Sequence, residues 1–235
     1  MPPDATSRED LFLKSFSDPQ AVARYAEGPR RFVPGLDALH RMAGILLAER
    51  AGHAAKVLVL GAGGGSELRA MADAYQRWTF VGVDPAAEML RLAERVVGPA
   101  MDRVKLVEGT IDDAPAGPFD AATCFLTLHF LAAPERERTI REIHKRLRPG
   151  APFVAAHVSF SQEEGQRERW LDRYAAYPIA SGADPDQVAN ARSAVAASLN
   201  TLAPEQDEAI LKAGGFHDVT LFYTGLVWRG WVAFA

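Results

Sequence analysis

An apolar strand that runs directly into a glycine-rich turn is the feature that most constrains the fold of this chain. Residues 57–66 read VLVLGAGGGS. The glycines at positions 61, 63 and 65 let the backbone turn tightly at the carboxyl end of a strand and approach a ligand without an intervening Cβ. Ser66 and Glu67 then begin a helix. The segment predicts the strand, turn and helix that start a doubly wound α/β sheet.

A second apolar strand, residues 78–83, ends at Asp84, where a carboxylate can accept hydrogen bonds from both hydroxyls of a ribose. A dinucleotide site would need GxGxxG spacing, so that a pyrophosphate rests on the helix N-terminus. The sixth position is Ser66 instead of glycine. The spacing therefore indicates a ligand that has a ribose but no phosphates. The alternative is a glycine turn that only joins the strand to the helix.

Composition limits the classes of partner. Of the 235 residues, 48% are hydrophobic and 24% are charged, which is typical of a globular protein. No apolar run is as long as a membrane span, and the first ten residues do not resemble a secretory signal. The net charge of −4 lacks the basic excess of nucleic-acid binders. We expect a cytoplasmic protein with a small-molecule substrate, no nucleic-acid partner and no membrane partner, and leave a homodimer open.

Cysteine and histidine residues give no sign of a metal site. Cys124 is the only cysteine, which excludes an internal disulfide and a cysteine-based zinc cluster. Its place in an apolar strand predicts a buried, inert thiol. The histidines have no spacing typical of metal ligands with one another, so no metal is predicted.

Strand and helix patterns alternate through the first two thirds of the chain, which predicts a parallel sheet covered on both faces. We interpret residues 1–235 as one domain made of four parts. These are a helical lead segment (1–50), a cofactor-binding core (51–158), a helical insertion (159–203), and a C-terminal helix and hairpin (204–235). Strands are predicted near 56–60, 78–83, 103–107, 120–125 and 151–158, and the hairpin is predicted to pair 219–223 with 226–228.

Several segments, taken in chain order, resemble the motifs of class I S-adenosylmethionine-dependent methyltransferases. They are the glycine turn with Asp84, EGTIDDAP at 108–115, residues 119–131, and LRPG at 147–150. The resemblance implies a Rossmann-like α/β fold with a seven-stranded, mostly parallel sheet of order 3214576 and an antiparallel last strand. It also implies S-adenosylmethionine as cofactor and methyl transfer to a small acceptor. The implied cofactor-binding residues are Gly61, Ala62, Gly63, Gly65, Asp84, Pro85, Thr110, Ile111 and Phe125.

Within that superfamily, four further segments are similar to the carboxy-S-adenosylmethionine synthases: residues 33–35, 127–136, 190–193 and 211–216. The resemblance implies that Arg192 holds the extra carboxylate of the carboxylated cofactor, a task that suits a guanidinium. The alternative is a solvated charge on a helix.

Departures from the synthase pattern favour ordinary methyl transfer. Leu36 replaces a tyrosine near the cofactor and Phe125 replaces an asparagine. Val59 and Thr110 replace acidic residues. A synthase and a non-catalytic binding protein stay as alternatives, whereas a nucleic-acid methyltransferase would need a basic face.

Two histidines are candidates for a general base. His157 lies at the end of the fifth predicted strand and His129 follows the fourth, so both fall at the carboxyl edge of the sheet. A neutral imidazole there could take a proton from an acceptor. The alternative for each is a structural histidine in the core.

Overall fold

The strands in the described part of the chain pair into one seven-stranded sheet. They are β1 Lys56–Leu60, β2 Thr79–Asp84, β3 Val104–Glu108, β4 Ala121–Phe125, β5 Pro152–Val158, β6 His217–Gly225 and β7 Trp228–Phe234. Their order across the sheet is β3-β2-β1-β4-β5-β7-β6. β1 to β5 are parallel, and β7 is antiparallel to both of its neighbours. The predicted α/β fold, strand order and antiparallel last strand are confirmed.

The computed structural model describes Val22 and residues 28–235. Most of the predicted lead segment before residue 28 therefore lies outside the described residues. The helices from residue 28 onward are α1 Gly28–Phe32, α2 Leu36–Ala51, α3 Ser66–Ala74, α4 Ala87–Val97, α5 Ala133–Arg146, α6 Gln166–Ala180, α7 Pro185–Ser198 and α8 Pro204–Ala213. Short 3-10 helices lie at Gly98–Arg103, Ile111–Asp113 and Leu128–Phe130.

Strands β4 and β5 are buried along their whole length, and β1 is buried after Lys56, because both faces of the sheet are covered. Successive side chains of a strand point to opposite faces. Val57 and Val59 accordingly belong to a buried cluster with residues of α2, whereas Leu58 belongs to a cluster with residues of α5 and α8. Cys124 lies fully buried in that second cluster, and burial raises the pKa of its thiol. The thiol is buried, as predicted.

Prolines mark the start of several helices. Pro134, Pro185 and Pro204 stand in the first turns of α5, α7 and α8, where the missing N–H removes no helical hydrogen bond. The first helix of the predicted insertion begins at Gln166, directly after Gly165, which has a left-handed φ of 74°. That helix then continues to Ala180.

The predicted hairpin exists, but its turn was misplaced. Leu226 and Val227 form the turn instead of a strand, and the second strand begins at Trp228. Leu226 adopts a φ of 58°. Val227 is fully buried, and its carbonyl accepts a hydrogen bond from the Ser159 N–H at 2.9 Å. Tertiary contact with the end of β5 therefore fixes a turn that has no typical turn sequence.

Candidate functional site

A cavity of about 210 Å³ opens at the carboxyl ends of β1, β2 and β4. Six of the residues predicted to bind a cofactor line it: Gly61, Gly63, Asp84, Pro85, Thr110 and Phe125. Because these positions come from distant parts of the sequence, the parallel sheet brings them together by aligning the ends of its strands. We refer to this space as the cofactor cavity.

Asp84 is held in a fixed orientation at the end of β2. Its Oδ2 accepts a hydrogen bond from the Gly63 N–H, and its Oδ1 accepts one from the Ala86 N–H, both at 2.9 Å. Burial raises the pKa of this carboxyl group above its usual value, although the two N–H groups act in the opposite direction. The carboxylate is thus oriented in advance, with acceptor capacity left over for a ligand.

The glycine turn is shaped by the protein around it as well as by the space for a ligand. Gly61 has a φ of 77°, which favours glycine. A Cβ on Gly63 would lie 2.7 Å from Asp84 Oδ2. A Cβ on Gly65 would lie 2.7 Å from the Cα of Ala93 in α4, so this glycine permits close packing of a helix. Ala62 is buried. Gly65 and Ala62 therefore build the turn behind the cavity wall.

The segment after β3 forms the rim of the cavity. Thr110 is exposed and caps the short 3-10 helix, because its Oγ1 accepts a hydrogen bond from the Asp112 N–H at 3.3 Å. The Ile111 side chain is buried in the core. The N–H of Ile111 is the first of that helix, and first-turn N–H groups have no partner within their own helix. Its role toward an adenine ring stays a prediction.

Two ionisable residues that line the cavity were not predicted from the sequence, His40 and Glu67. His40, on α2, stacks on Phe125 with ring centroids 5.7 Å apart, and burial lowers its pKa to about 4. Glu67, on α3, is 6% exposed, and its Oε1 accepts a hydrogen bond from Thr123 Oγ1 at 2.9 Å. Burial raises the pKa of Glu67 to about 8. The sequence does indicate that His40 is buried, because it lies four positions after the apolar Leu36 and so on the same face of the helix.

A second cavity, of about 300 Å³, lies beside the first. Pro29, Leu126 and Phe130 line both cavities. The remaining wall comes from α1, α6, α7, the end of β5 and the start of β7. We refer to this space as the apolar cavity.

The structure separates the two candidate general bases. His129 lines the apolar cavity, and burial, followed by the charges of His157 and Arg136, lowers its pKa well below the usual value. His157 lines neither cavity. It is buried with its Nε2 3.2 Å from Asp207 Oδ1, and Asp207 also pairs with Arg136. A catalytic role for either histidine stays a prediction.

Arg192 is on α7 and lines neither cavity among the described residues. Its guanidinium bonds to Asp172 at 2.7 Å and to Glu168 at 2.8 Å, both on α6. The carboxylates that surround Arg192 in this structure therefore belong to the protein, and its role toward a ligand stays a prediction.

Neither a metal cluster nor a spanning helix is found in residues 28–235. No group of three or more His, Cys, Asp and Glu side chains there is arranged to hold a metal ion. In the same range, every helix is too short or too polar to cross a bilayer.

Comparisons with known proteins agree with this architecture. Residues 57–150 match a family model described as a methyltransferase domain. The carboxy-S-adenosyl-L-methionine synthase of Chromohalobacter salexigens is 28% identical to this chain, over 98% of the chain and 90% of that protein.

Two solved structures share the fold. PigF with SAH has a TM-score of 0.69 and 19% identity, and the match covers 98% of this chain and 63% of that one. Human N-acetylserotonin methyltransferase with SAM has a TM-score of 0.65 and 15% identity, and the match covers 100% of this chain and 60% of that one. This chain thus spans less than two thirds of the length of these two structures. Residues 57–150 thus resemble a methyltransferase domain, and the chain is similar along nearly its whole length to a carboxy-S-adenosyl-L-methionine synthase.

Proposed function

We propose that this protein transfers the methyl group of S-adenosylmethionine to a small-molecule acceptor. The observation that carries the proposal is the Asp84 carboxylate, whose two oxygens are fixed by backbone N–H groups at the mouth of the glycine turn. A carboxylate offers about four acceptor positions, so capacity remains for two ribose hydroxyls.

The residues around Asp84 extend the same site. Pro85, Thr110 and the N–H of Ile111 would hold the adenine. Gly61 and Gly63 keep the opposite part of the cavity free of side chains. When bound, the cofactor supplies a methyl group that its positive sulfur has already activated, so the main task of the protein is to align an acceptor with that group.

The charges in the cavity suit a cationic ligand. Glu67 and Asp84 are the ionisable acids among the described lining residues, and no lysine or arginine lines the cavity there. His40 has a pKa lowered to about 4 and is therefore neutral at pH 7. A positively charged sulfur would meet acidic and neutral groups and no lysine or arginine among the described residues, which lowers the cost of burying its charge.

A carboxy-S-adenosylmethionine synthase is the second candidate, and the sequence similarity to such enzymes favours it. A carboxylated cofactor and an anionic substrate would need cationic partners. Among the described residues, the linings of both cavities contain no lysine or arginine, and Arg192 is engaged by Asp172 and Glu168. These observations favour ordinary methyl transfer.

Calorimetric titration with S-adenosylmethionine tests the assignment. Asp84→Ala should weaken binding at least tenfold, because hydrogen bonds to a charged group contribute about 1.5–3 kcal/mol each. Asp102→Ala removes an acid whose side chain is 76% exposed, and should leave the affinity unchanged. Equal affinity of wild type and Asp84→Ala would contradict the proposal. Binding without formation of S-adenosylhomocysteine across a panel of acceptors would favour a non-catalytic binding protein.

A further inference from the structure

We infer that the apolar cavity is the acceptor site and that it takes a neutral, mainly apolar ring compound which accepts a hydrogen bond from His129. The inference rests on the proposed function and adds the chemical class of the substrate. It follows from the lining, from two polar groups without partners, and from the wall shared with the cofactor cavity.

The described part of the lining disfavours a charged ligand. Among the described residues, the side chains around the apolar cavity are aliphatic or aromatic, and none carries a charge at pH 7. Burying an ionised group without a partner costs several kcal/mol or forces it to become neutral. The volume of about 300 Å³ is at the lower end of the pockets that hold drug-sized ligands, roughly 300–1,000 Å³. A compound of one or two rings fits this space.

His129 supplies a fixed hydrogen-bond donor. Its Nδ1 accepts a hydrogen bond from the Val158 N–H at 3.2 Å, so the neutral ring carries its proton on Nε2. Phe130 and Trp228 contact the ring edge-on, at centroid distances of 4.3 and 6.0 Å, and restrict its orientation. His129 is 3% exposed, and its Nε2 has no hydrogen-bond partner among the described residues. A donor on a residue that lines the cavity and that has no protein partner favours a ligand with an oxygen acceptor.

Tyr174 provides the second polar group. Tyr174, on α6, lines the apolar cavity and is 8% exposed. The hydroxyl has no hydrogen bond with any described residue, and burial raises its pKa, so it stays protonated at pH 7. Tyrosine hydroxyl groups usually find a partner when buried. The hydroxyl of Tyr174 is therefore available to the same ligand.

The two cavities lie side by side and share lining residues. Leu126 lines both of them and adopts a left-handed φ of 54°, which is strained for a branched side chain. Its N–H is bonded to the Ala156 carbonyl at 2.7 Å, so β5 holds the strained residue in place. The two cavities meet at the residues they share, so a ligand in the apolar cavity would lie next to a bound cofactor.

In this arrangement His129 orients the acceptor. An acceptor hydroxyl would form the new oxygen–carbon bond as the carbon–sulfur bond breaks. The electron pair of the broken bond stays on sulfur, and the hydroxyl proton leaves to water. Because its pKa is well below the usual value, His129 is a weak base at pH 7 and acts as a positioning residue.

This inference is tested by titrating the protein with two ring compounds of similar size, in the presence of S-adenosylhomocysteine. One is neutral, 2-naphthol, and the other is anionic, 2-naphthoate. Wild type should bind 2-naphthol at least tenfold more tightly than 2-naphthoate. Ala191→Trp should abolish 2-naphthol binding, because Ala191 lines the cavity. Ala189→Trp, at an exposed position on the same helix, is the matched control. Tyr174→Phe, which removes only a hydroxyl without a partner, should weaken binding severalfold.

Titration of each variant with S-adenosylmethionine separates the two proposals. Wild type that fails to bind S-adenosylmethionine contradicts the proposed function. Wild type that binds S-adenosylmethionine but binds 2-naphthoate as well as 2-naphthol overturns only the inference about the acceptor. An Ala191→Trp protein that keeps its affinity for both S-adenosylmethionine and 2-naphthol also overturns it.

Discussion

A Cβ on Gly61 would lie 1.9 Å from the Oγ1 of Thr127, so the glycine turn packs directly against the segment that follows β4. Thr127 cannot rotate away without loss, because its Oγ1 donates a hydrogen bond to the Phe125 carbonyl at 2.8 Å. This contact joins the first cofactor motif to a residue that lines the cofactor cavity.

Gly61→Ala should therefore reduce both stability and cofactor affinity. The left-handed φ alone costs about 1–2 kcal/mol for a residue with a Cβ, and displacement of Thr127 adds to this cost. Gly150→Ala is the matched control, since Gly150 has a φ of 74° but open space at its Cβ position. Chemical denaturation should show a clearly larger loss for Gly61→Ala. Equal losses would mean that the Thr127 contact is unimportant.

Gly63→Ala should weaken S-adenosylmethionine binding at least tenfold while the fold is retained. The new methyl group would displace the Asp84 carboxylate, from which it would lie 2.7 Å away. The main clash is therefore with Asp84 in the protein itself. If so, Gly63→Ala and Asp84→Ala should be strongly non-additive in a double-mutant cycle measured by calorimetry. Additive effects would argue that Gly63 acts through the ligand alone.

The stability of the free protein should fall as pH rises from 6 to 8 through the ionisation of Glu67. Its pKa is raised to about 8 in the folded protein, whereas the unfolded chain has ionised this group by pH 6, so the folded state binds more protons across this window. One such group contributes at most about 1.4 kcal/mol per pH unit.

Glu67→Gln should remove the part of the pH dependence of stability that Glu67 causes. Glu88→Gln, on the partly exposed first turn of α4, should leave that pH dependence unchanged. Urea denaturation at several pH values measures the difference. A wild-type slope that is identical in Glu67→Gln would show that Glu67 ionises normally.

Asp207→Ala should destabilise the protein by about 3–5 kcal/mol, because it leaves the buried guanidinium of Arg136 without its carboxylate. Both side chains are 1% exposed. Loss of the exposed Glu137–Arg141 pair by Glu137→Ala should cost at most about 1 kcal/mol. Thermal denaturation monitored by circular dichroism compares the two variants, and similar transition temperatures would contradict the expectation.

Arg192→Ala should leave the affinities for S-adenosylmethionine and for its carboxylated analogue nearly unchanged, and wild type should show little preference between them. The reason is that Asp172 and Glu168 already neutralise the guanidinium. Arg169→Ala on the exposed face of α6 serves as the control. A strong wild-type preference for the carboxylated analogue that Arg192→Ala abolishes would favour a synthase.

The parts of the fold that depend on short-range pattern were predictable. The glycine turn and Asp84 are local signals, and the alternation of strands and helices defines the sheet. Glu67 was not recognised because an acid near a helix start is usually solvated. Its burial depends on packing against Thr123, 56 positions away. His157 appeared to be at the reactive edge, yet its environment is set by Asp207 on a later helix.

Hydrogen bonds between distant parts of the sequence hold together the apolar cavity and the residues next to it. Trp228 Nε1 donates to the Phe32 carbonyl at 2.9 Å across 196 positions of sequence, and Tyr223 bonds to the Pro34 carbonyl across 189. Contacts of such long sequence separation are slow to form. During synthesis, the glycine turn and Asp84 leave the ribosome long before the hairpin does. The apolar cavity, which Trp228 lines, is therefore completed only when the last strand of the sheet has been made.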